Sequence, residues 1–264
     1  MTLPLLLNEL TRAEAREAAG SALVLLPTGA TEQHGPHLPV GTDSMVVEAV
    51  AREAAARVRP AILALVAPTL AFGSSPHHLQ FGGTMSVSTE TYYRLICDLL
   101  ESLAEGGFRR IFIVNGHGGN SELVQLAARD VALRREIAVA AGSYWTIAWE
   151  HLTAAGAGKV GHLPGHAGAF ETSLVAALRP ELVREPRPER ELDPHSSPPM
   201  PADPYRAEIH GFWKRIDGYS DSPARGHKDD GERFLAAAVE GVADALTSFY
   251  ARTAEALVAP YRAG

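Results

Sequence analysis

The chain has 264 residues, 46% of them hydrophobic and 21% charged, with a formal net charge of -7. That length and apolar content suffice for a sizeable α/β core and argue against general disorder. The acidic balance repels phosphate backbones, and outside the Arg109-Arg110 and Arg134-Arg135 pairs there is no basic patch, so no nucleic-acid partner is expected.

The N-terminal run MTLPLLLNEL lacks a basic start and a small-residue cleavage site, and Pro4 and Asn8 break it. It falls well short of the roughly 20 residues that span a bilayer. A soluble, cytoplasmic protein without a membrane partner is therefore the expectation. Cys97, the one cysteine, lies in an apolar helical pattern and reads as a small core residue rather than a catalytic thiol.

Along the chain, Ala22–Leu26, Ile62–Ala67, Ile111–Val114 and Ile137–Ala141 are apolar runs without polar alternation. Strands buried on both faces of a parallel sheet have this pattern. Between them lie helical stretches. From Tyr92 a stripe of Leu95, Ile96, Leu99, Leu100 and Leu103 ends at Gly106-Gly107, and Asp43–Val58 and Ser121–Arg135 have similar character. This alternation predicts a three-layer α/β/α sandwich with a mainly parallel sheet. Ligands in such sheets bind where loops leave the C-terminal ends of strands, and the loops holding Glu32, His34, His77, His78 and His117 all follow predicted strands.

Residues 180–204 hold eight of the eighteen prolines and read as an extended excursion without a core of its own. A last helix, about Glu232 to Leu257, restores an apolar stripe that needs a surface to cover. The whole chain is thus expected to be one domain with an inserted loop.

Three segments carry chemistry. In Thr31-Glu32-Gln33-His34-Gly35-Pro36-His37, the two-residue spacing points Glu32 and His34 the same way if the segment is extended. The stiff turn after them can return Asp43, and Glu, His and Asp together suit Zn²⁺, Mn²⁺ or Fe²⁺. Asp43 alone reads equally well as a helix cap. In Asn115-Gly116-His117-Gly118-Gly119-Asn120, glycines allow close approach around a histidine. A phosphate- or nucleotide-binding cradle at 116–119 is the competing reading, weakened because neither GxGxxG nor the P-loop lysine is present. In Gly165-His166-Ala167-Gly168-Ala169-Phe170-Glu171, the glutamate can be a ligand or a residue favoured by the helix dipole. A softer fourth segment, around His77 and His78, reads as either a substrate-facing loop or a surface turn. Three carboxylates in one cleft would repel unless cations compensate.

With Glu-x-His-Gly-Pro-His and Asn-Gly-His in this order, the chain resembles the creatininase family from about Leu25 to Leu178. The resemblance implies an α/β/α fold, two adjacent divalent ions, hydrolysis of a C–N bond by a metal-activated water, and a homo-oligomer, commonly a hexamer. By the same resemblance Glu32, Asp43 and His117 hold one ion, His34 and Asp43 the second, and Asp43 bridges. Creatinine-cleaving members carry a further glutamate ligand where Gly119 stands and a catalytic glutamate where Gly165 stands. Members with the Gly-Gly version resemble deformylases of pyrimidine intermediates or the mycofactocin-system peptidase, and there Glu171 supplies the missing ligand. A small amide, a cyclic amide or a short peptide is thus expected as substrate rather than creatinine. His166 is expected to be catalytic, stabilising the oxyanion or protonating the leaving nitrogen. His37, His78 and Trp145 are candidates for substrate contact, Trp145 being read equally as a core residue.

Overall fold

The computed structural model describes residues 3–190 and 208–256. In chain order the elements are α1 (Arg12–Ala18), β1 (Leu23–Thr28), α2 (Thr42–Val58), β2 (Ala64–Val66), α3 (Thr89–Glu105), β3 (Arg110–Asn115), α4 (Ser121–Ala132) and β4 (Ala138–Ser143). The short helices α5 (Tyr144–Ile147), α6 (Trp149–Ala154) and α7 (Ala157–Val160) follow, then α8 (Ala169–Leu178), α9 (Phe212–Arg215) and α10 (Lys228–Ala256).

The four strands form one sheet in the order β2-β1-β3-β4, with every neighbouring pair parallel. Side chains alternate across a strand, and the two faces accordingly feed separate cores. Leu23, Leu25, Phe112 and Val114 pack with residues of α2, α8 and α10. Val24, Leu26, Ile111 and Ile113 pack with residues of α1, α3 and α4. The result is the expected three-layer α/β/α sandwich.

Two expectations need adjusting. β4 is an edge strand whose first four residues, three of them alanine, are only half-buried, so its apolar run does not mean burial on both faces. The proline-rich stretch is anchored where it is described: Arg184 N donates to His37 O at 2.8 Å and Arg190 Nη1 to Tyr219 O at 2.7 Å. Residues 191–204 of that stretch, like Leu257 of the last predicted helix, lie outside the described residues.

Helix α10 is long and apolar enough by length and composition to cross a membrane. Its Phe234, Ala238, Val242 and Leu246 are instead fully covered, packed against α2 and α8. The last described helix therefore belongs to the same core as α2 and α8.

This topology fixes where a site can form. β1 continues outward to β2 on one side, while β3 continues to β4 on the other. The switch point lies between β1 and β3, where their C-terminal loops part and leave a crevice. Thr28 and Asn115 face each other at that edge, paired in register and joined by a side-chain hydrogen bond of 3.1 Å.

Candidate active site

Three loops meet at this crevice. The loop after β1 carries Glu32 and His34 and leads to Asp43 in the first turn of α2. The loop after β3 carries His117. Its shape is set by buried Asn115, which accepts from His117 N at 3.2 Å and donates to His117 O at 2.6 Å. The third segment enters α8 and brings His166 and Glu171. All six side chains are buried, between 0 and 7% exposed.

Asp43 lies at the centre. Its Oδ1 is 3.1 Å from His34 Nε2, and its Oδ2 is 3.1 Å from His117 Nδ1. Each imidazole meets a second carboxylate as well: His34 Nε2 is 3.7 Å from Glu171 Oε2, and His117 Nδ1 is 3.2 Å from Glu32 Oε1. Two donor groups thus share one carboxylate. Among the described residues, His34, Asp43 and Glu171 offer atoms all within 4.8 Å of one another, as do Glu32, His77 and His117, and also Glu32, His34 and His166.

The tautomers follow from the neighbours, since a carbonyl oxygen only accepts. His34 Nδ1 lies 3.1 Å from Glu32 O and His117 Nε2 lies 3.0 Å from Ser74 O, so each of these nitrogens carries the hydrogen. The opposite nitrogens, His34 Nε2 and His117 Nδ1, face the carboxylates. Histidine metal ligands are oriented in this way by outer hydrogen bonds. Glu32 is held by the Ser75 hydroxyl, which donates to Oε2. Among the described residues, buried Asp43 Oδ2 accepts no hydrogen bond of good geometry although His117 Nδ1 stands 3.1 Å away, an arrangement a cation between them would satisfy.

The electrostatics point the same way. Burial opposes charge on His117, yet Glu32 and Asp43 push its pKa up to about 10. His34 is likewise raised well above its ordinary value, against burial, by Asp43 and Glu171. Burial raises Glu171 despite nearby His34. Without a bound cation, protons on His34 and His117 supply the positive charge that the three carboxylates demand.

His166 differs from these two. Burial, reinforced by His78 and His34, holds it well below its ordinary pKa. Its Nε2 lies between two groups of Gln33, the carbonyl O at 3.0 Å that accepts and the amide Nε2 at 2.9 Å that donates, while its Nδ1 stands 3.5 Å from Glu32 Oε1. His78 stacks on it at 4.3 Å and is lowered to about 3 by burial. The other two candidates for substrate contact are placed otherwise. His37 is fully buried with Nε2 2.8 Å from Thr172 Oγ1, and so braces α8. Trp145 belongs to the apolar core, edge-on to Tyr144.

Five further residues belong here. Gln33 Nε2 is 2.8 Å from Gly218 O and 2.9 Å from His78 Nδ1, tying the first loop to the 218 turn. Its place between Glu32 and His34 is the only sequence hint of this. Ser75, the partner of Glu32, sits in the softer fourth segment. Trp213 roofs the histidines, with ring centroids 4.7 Å from His78 and 5.1 Å from His166. Asp221 is fully buried and accepts from Ala169 N at 2.7 Å and His162 N at 3.0 Å, while Ser220 Oγ accepts from His166 N at 2.8 Å. These two residues clamp the segment bearing His166 and Glu171, whose Ala167 adopts an uncommon φ of +49°. No motif marks Trp213 or Asp221; only the fold brings them in.

Fold and cluster together define a class: α/β enzymes with a buried carboxylate–imidazole centre in the switch-point crevice. The family model described as "Creatininase: Creatinine amidohydrolase" matches residues 8–246. The creatinine amidohydrolase of Pseudomonas putida is 33% identical over 252 residues, covering 88% of this chain and 92% of that protein. The mycofactocin precursor peptide peptidase of Mycobacterium tuberculosis is 39% identical over 173 residues, 63% of this chain and 62% of its own. A crystal structure of creatinine amidohydrolase superposes with a TM-score of 0.74 at 30% identity, covering 94% of this chain and 99% of that one. A manganese form of creatininase does so with a TM-score of 0.71 at the same identity and coverage. The chain belongs to the creatininase family.

Proposed function

We propose that the chain is a metal-dependent amidohydrolase that cleaves the C–N bond of a small amide, a cyclic amide or a short peptide. The observation that carries this reading is the division of Asp43, one oxygen toward His34 and Glu171 and the other toward His117 and Glu32. Glu32, Asp43 and His117 would hold one divalent ion and His34, Asp43 and Glu171 a second. The mixed oxygen and imidazole donors fit Zn, Mn or Fe, and solved relatives include a Zn–Zn form and a manganese form. Ions held there supply Lewis acidity, which lowers the pKa of water and polarises an amide carbonyl.

The chain's own residues do the rest. His166 Nδ1 takes the proton released as water forms the new C–O bond, and returns it to the nitrogen as the C–N bond breaks. Burial keeps His166 neutral for the first of these transfers. In this role Nε2 keeps its hydrogen toward Gln33 O, and the Ser220–Asp221 clamp fixes the place of the ring.

Creatinine is not the favoured substrate. A Cβ at Gly119 would collide with Ser74 O and lie 2.6 Å from His117 Nε2. One at Gly165, where φ is +64°, would lie 2.7 Å from Ser220 Oγ. Neither position admits the glutamate that creatinine-cleaving members carry. The phosphate-cradle reading is disfavoured because Glu32 and Asp43 face the loop that would hold the anion, and because its Gly116, His117 and Asn120 N–H groups are already bonded within the protein.

Assembly into a homo-oligomer is proposed as well. Exposed Val40, Phe72, Leu79, Met85 and Ile209 offer apolar surface for it, and light scattering on the purified protein decides. The functional test is a screen of formamides, cyclic amides and short peptides against protein reconstituted separately with each metal. Hydrolysis of at least one class is expected, with a loss of about 10²–10⁴-fold in His166→Ala at unchanged metal content. Absence of hydrolysis throughout, with metal bound, would overturn the reading.

A further inference from the structure

The Glu32 side of the centre has a neighbour that the proposed ligand sets leave out. His77 follows Pro76 in a 3-10 turn, half-buried, with one ring nitrogen within 4.8 Å of both a Glu32 oxygen and a His117 nitrogen. Its ring lies parallel to that of His117, at 3° and 5.8 Å between centroids, and against Trp213 at 5.7 Å. Donor atoms bonded to a common ion at about 2.0–2.2 Å stand roughly 3–4.4 Å apart, so a small ring movement closes the remaining gap. Half-exposure leaves that ring room to move, unlike that of buried His117.

Gly119 is what makes this approach possible. A Cβ there would lie 3.2 Å from His77 Cε1, besides its clash with Ser74 O and His117 Nε2. Any larger side chain would enter the space between the two imidazoles. The glycine and the histidine therefore occupy one volume between them.

Resting on the metal-dependent reading above, we propose that His77 is an additional imidazole donor to the Glu32–Asp43–His117 position, admitted by the absent side chain of Gly119. It turns a set of two carboxylates and one imidazole into a balanced set of two and two. An added nitrogen donor strengthens binding of Zn²⁺ more than of Mn²⁺, following the usual order of divalent affinities. The position is thereby biased toward zinc.

The test compares the parent protein with His77→Gln and His77→Ala. Each is stripped of metal, dialysed against equimolar Zn²⁺ and Mn²⁺, and analysed for both elements, with circular dichroism confirming the fold. The expected result is a loss of zinc preference by about tenfold or more at one of two positions, and a changed visible spectrum of the cobalt-loaded protein. Zinc X-ray absorption on the unaltered protein provides a readout without mutation: three imidazoles shared between two ions, where the smaller set supplies two. Variants that keep the parent's zinc-to-manganese ratio and cobalt spectrum, or a count of two imidazoles, would overturn the role of His77 while leaving the metal centre intact. A parent that binds no metal would overturn both.

Discussion

The two apolar layers and the switch-point crevice are buried to the same degree and stand in opposite thermodynamic positions. Ile113 in β3 and His34 in the loop after β1 are both fully covered. Covering Ile113 removes apolar surface from water and stabilises the fold. Covering Glu32, Asp43 and Glu171 together strips hydration from three carboxylates, and this is favourable only if positive charge enters with them. Hence the sandwich is expected to be stable by itself, and the crevice to depend on what it binds.

The largest effect that sharpens this contrast is metal loading. At a thousandfold excess over Kd, an ion that binds only the folded state stabilises it by about 4 kcal/mol. Thermal melts of chelator-treated and reconstituted protein should differ accordingly, and identical melting would break the contrast. Next comes Ile113→Ala, which removes packing in the middle of the sheet and should cost about 2–5 kcal/mol. Because Ile113 lies in the core layer away from the crevice, denaturant unfolding should move while metal stoichiometry stays at the parent value.

The pH dependence separates the two regions again. In metal-free protein His117 holds its proton up to about pH 10, whereas an unfolded histidine loses it near 6.5. A raised folded pKa adds stability that is complete below the unfolded value and lost as pH rises through the folded one. The metal-free protein should therefore weaken between about pH 6.5 and 10, by at most about 1.4 kcal/mol per pH unit for one proton. Loaded protein should not follow this slope, since the ion replaces the proton; metal affinity should rise with pH over the same range. Parallel pH–Tm curves for the two forms would refute the assignment. The smallest effect is at the surface: Ser88 caps α3 by accepting from Thr91 N at 3.2 Å. Ser88→Ala should cost about 1 kcal/mol by denaturant melt and leave both metal and activity unchanged.

Much of this contrast is legible in the amino-acid sequence, for physical reasons. Central strands give continuous apolar runs because both faces are covered, and β1 and β3 read that way. β4 shows that such a run does not distinguish a central strand from an edge strand when its residues are small. Glu32, His34, Asp43 and His117 stand close in sequence to strand ends or a helix start, so their meeting follows from the parallel topology. Glu171 and His166 depend on a segment that Ser220 and Asp221 hold in place from some fifty residues downstream, through hydrogen bonds from His166 N and Ala169 N. A lone Asp in a Tyr-Ser-Asp-Ser-Pro turn carries no period or spacing that announces such a role. Trp213 carries no such signal either, and Trp145, read equally as pocket wall or core, packs in the apolar core.

The most direct measurement of the central claim, that Asp43 joins two cation positions, is elemental analysis of parent, Asp43→Ala and His34→Ala after saturation with one metal and removal of the excess. Near two ions per chain are expected for the parent, one for His34→Ala and essentially none for Asp43→Ala. An Asp43→Ala protein that is folded and keeps the parent's metal content would contradict the account.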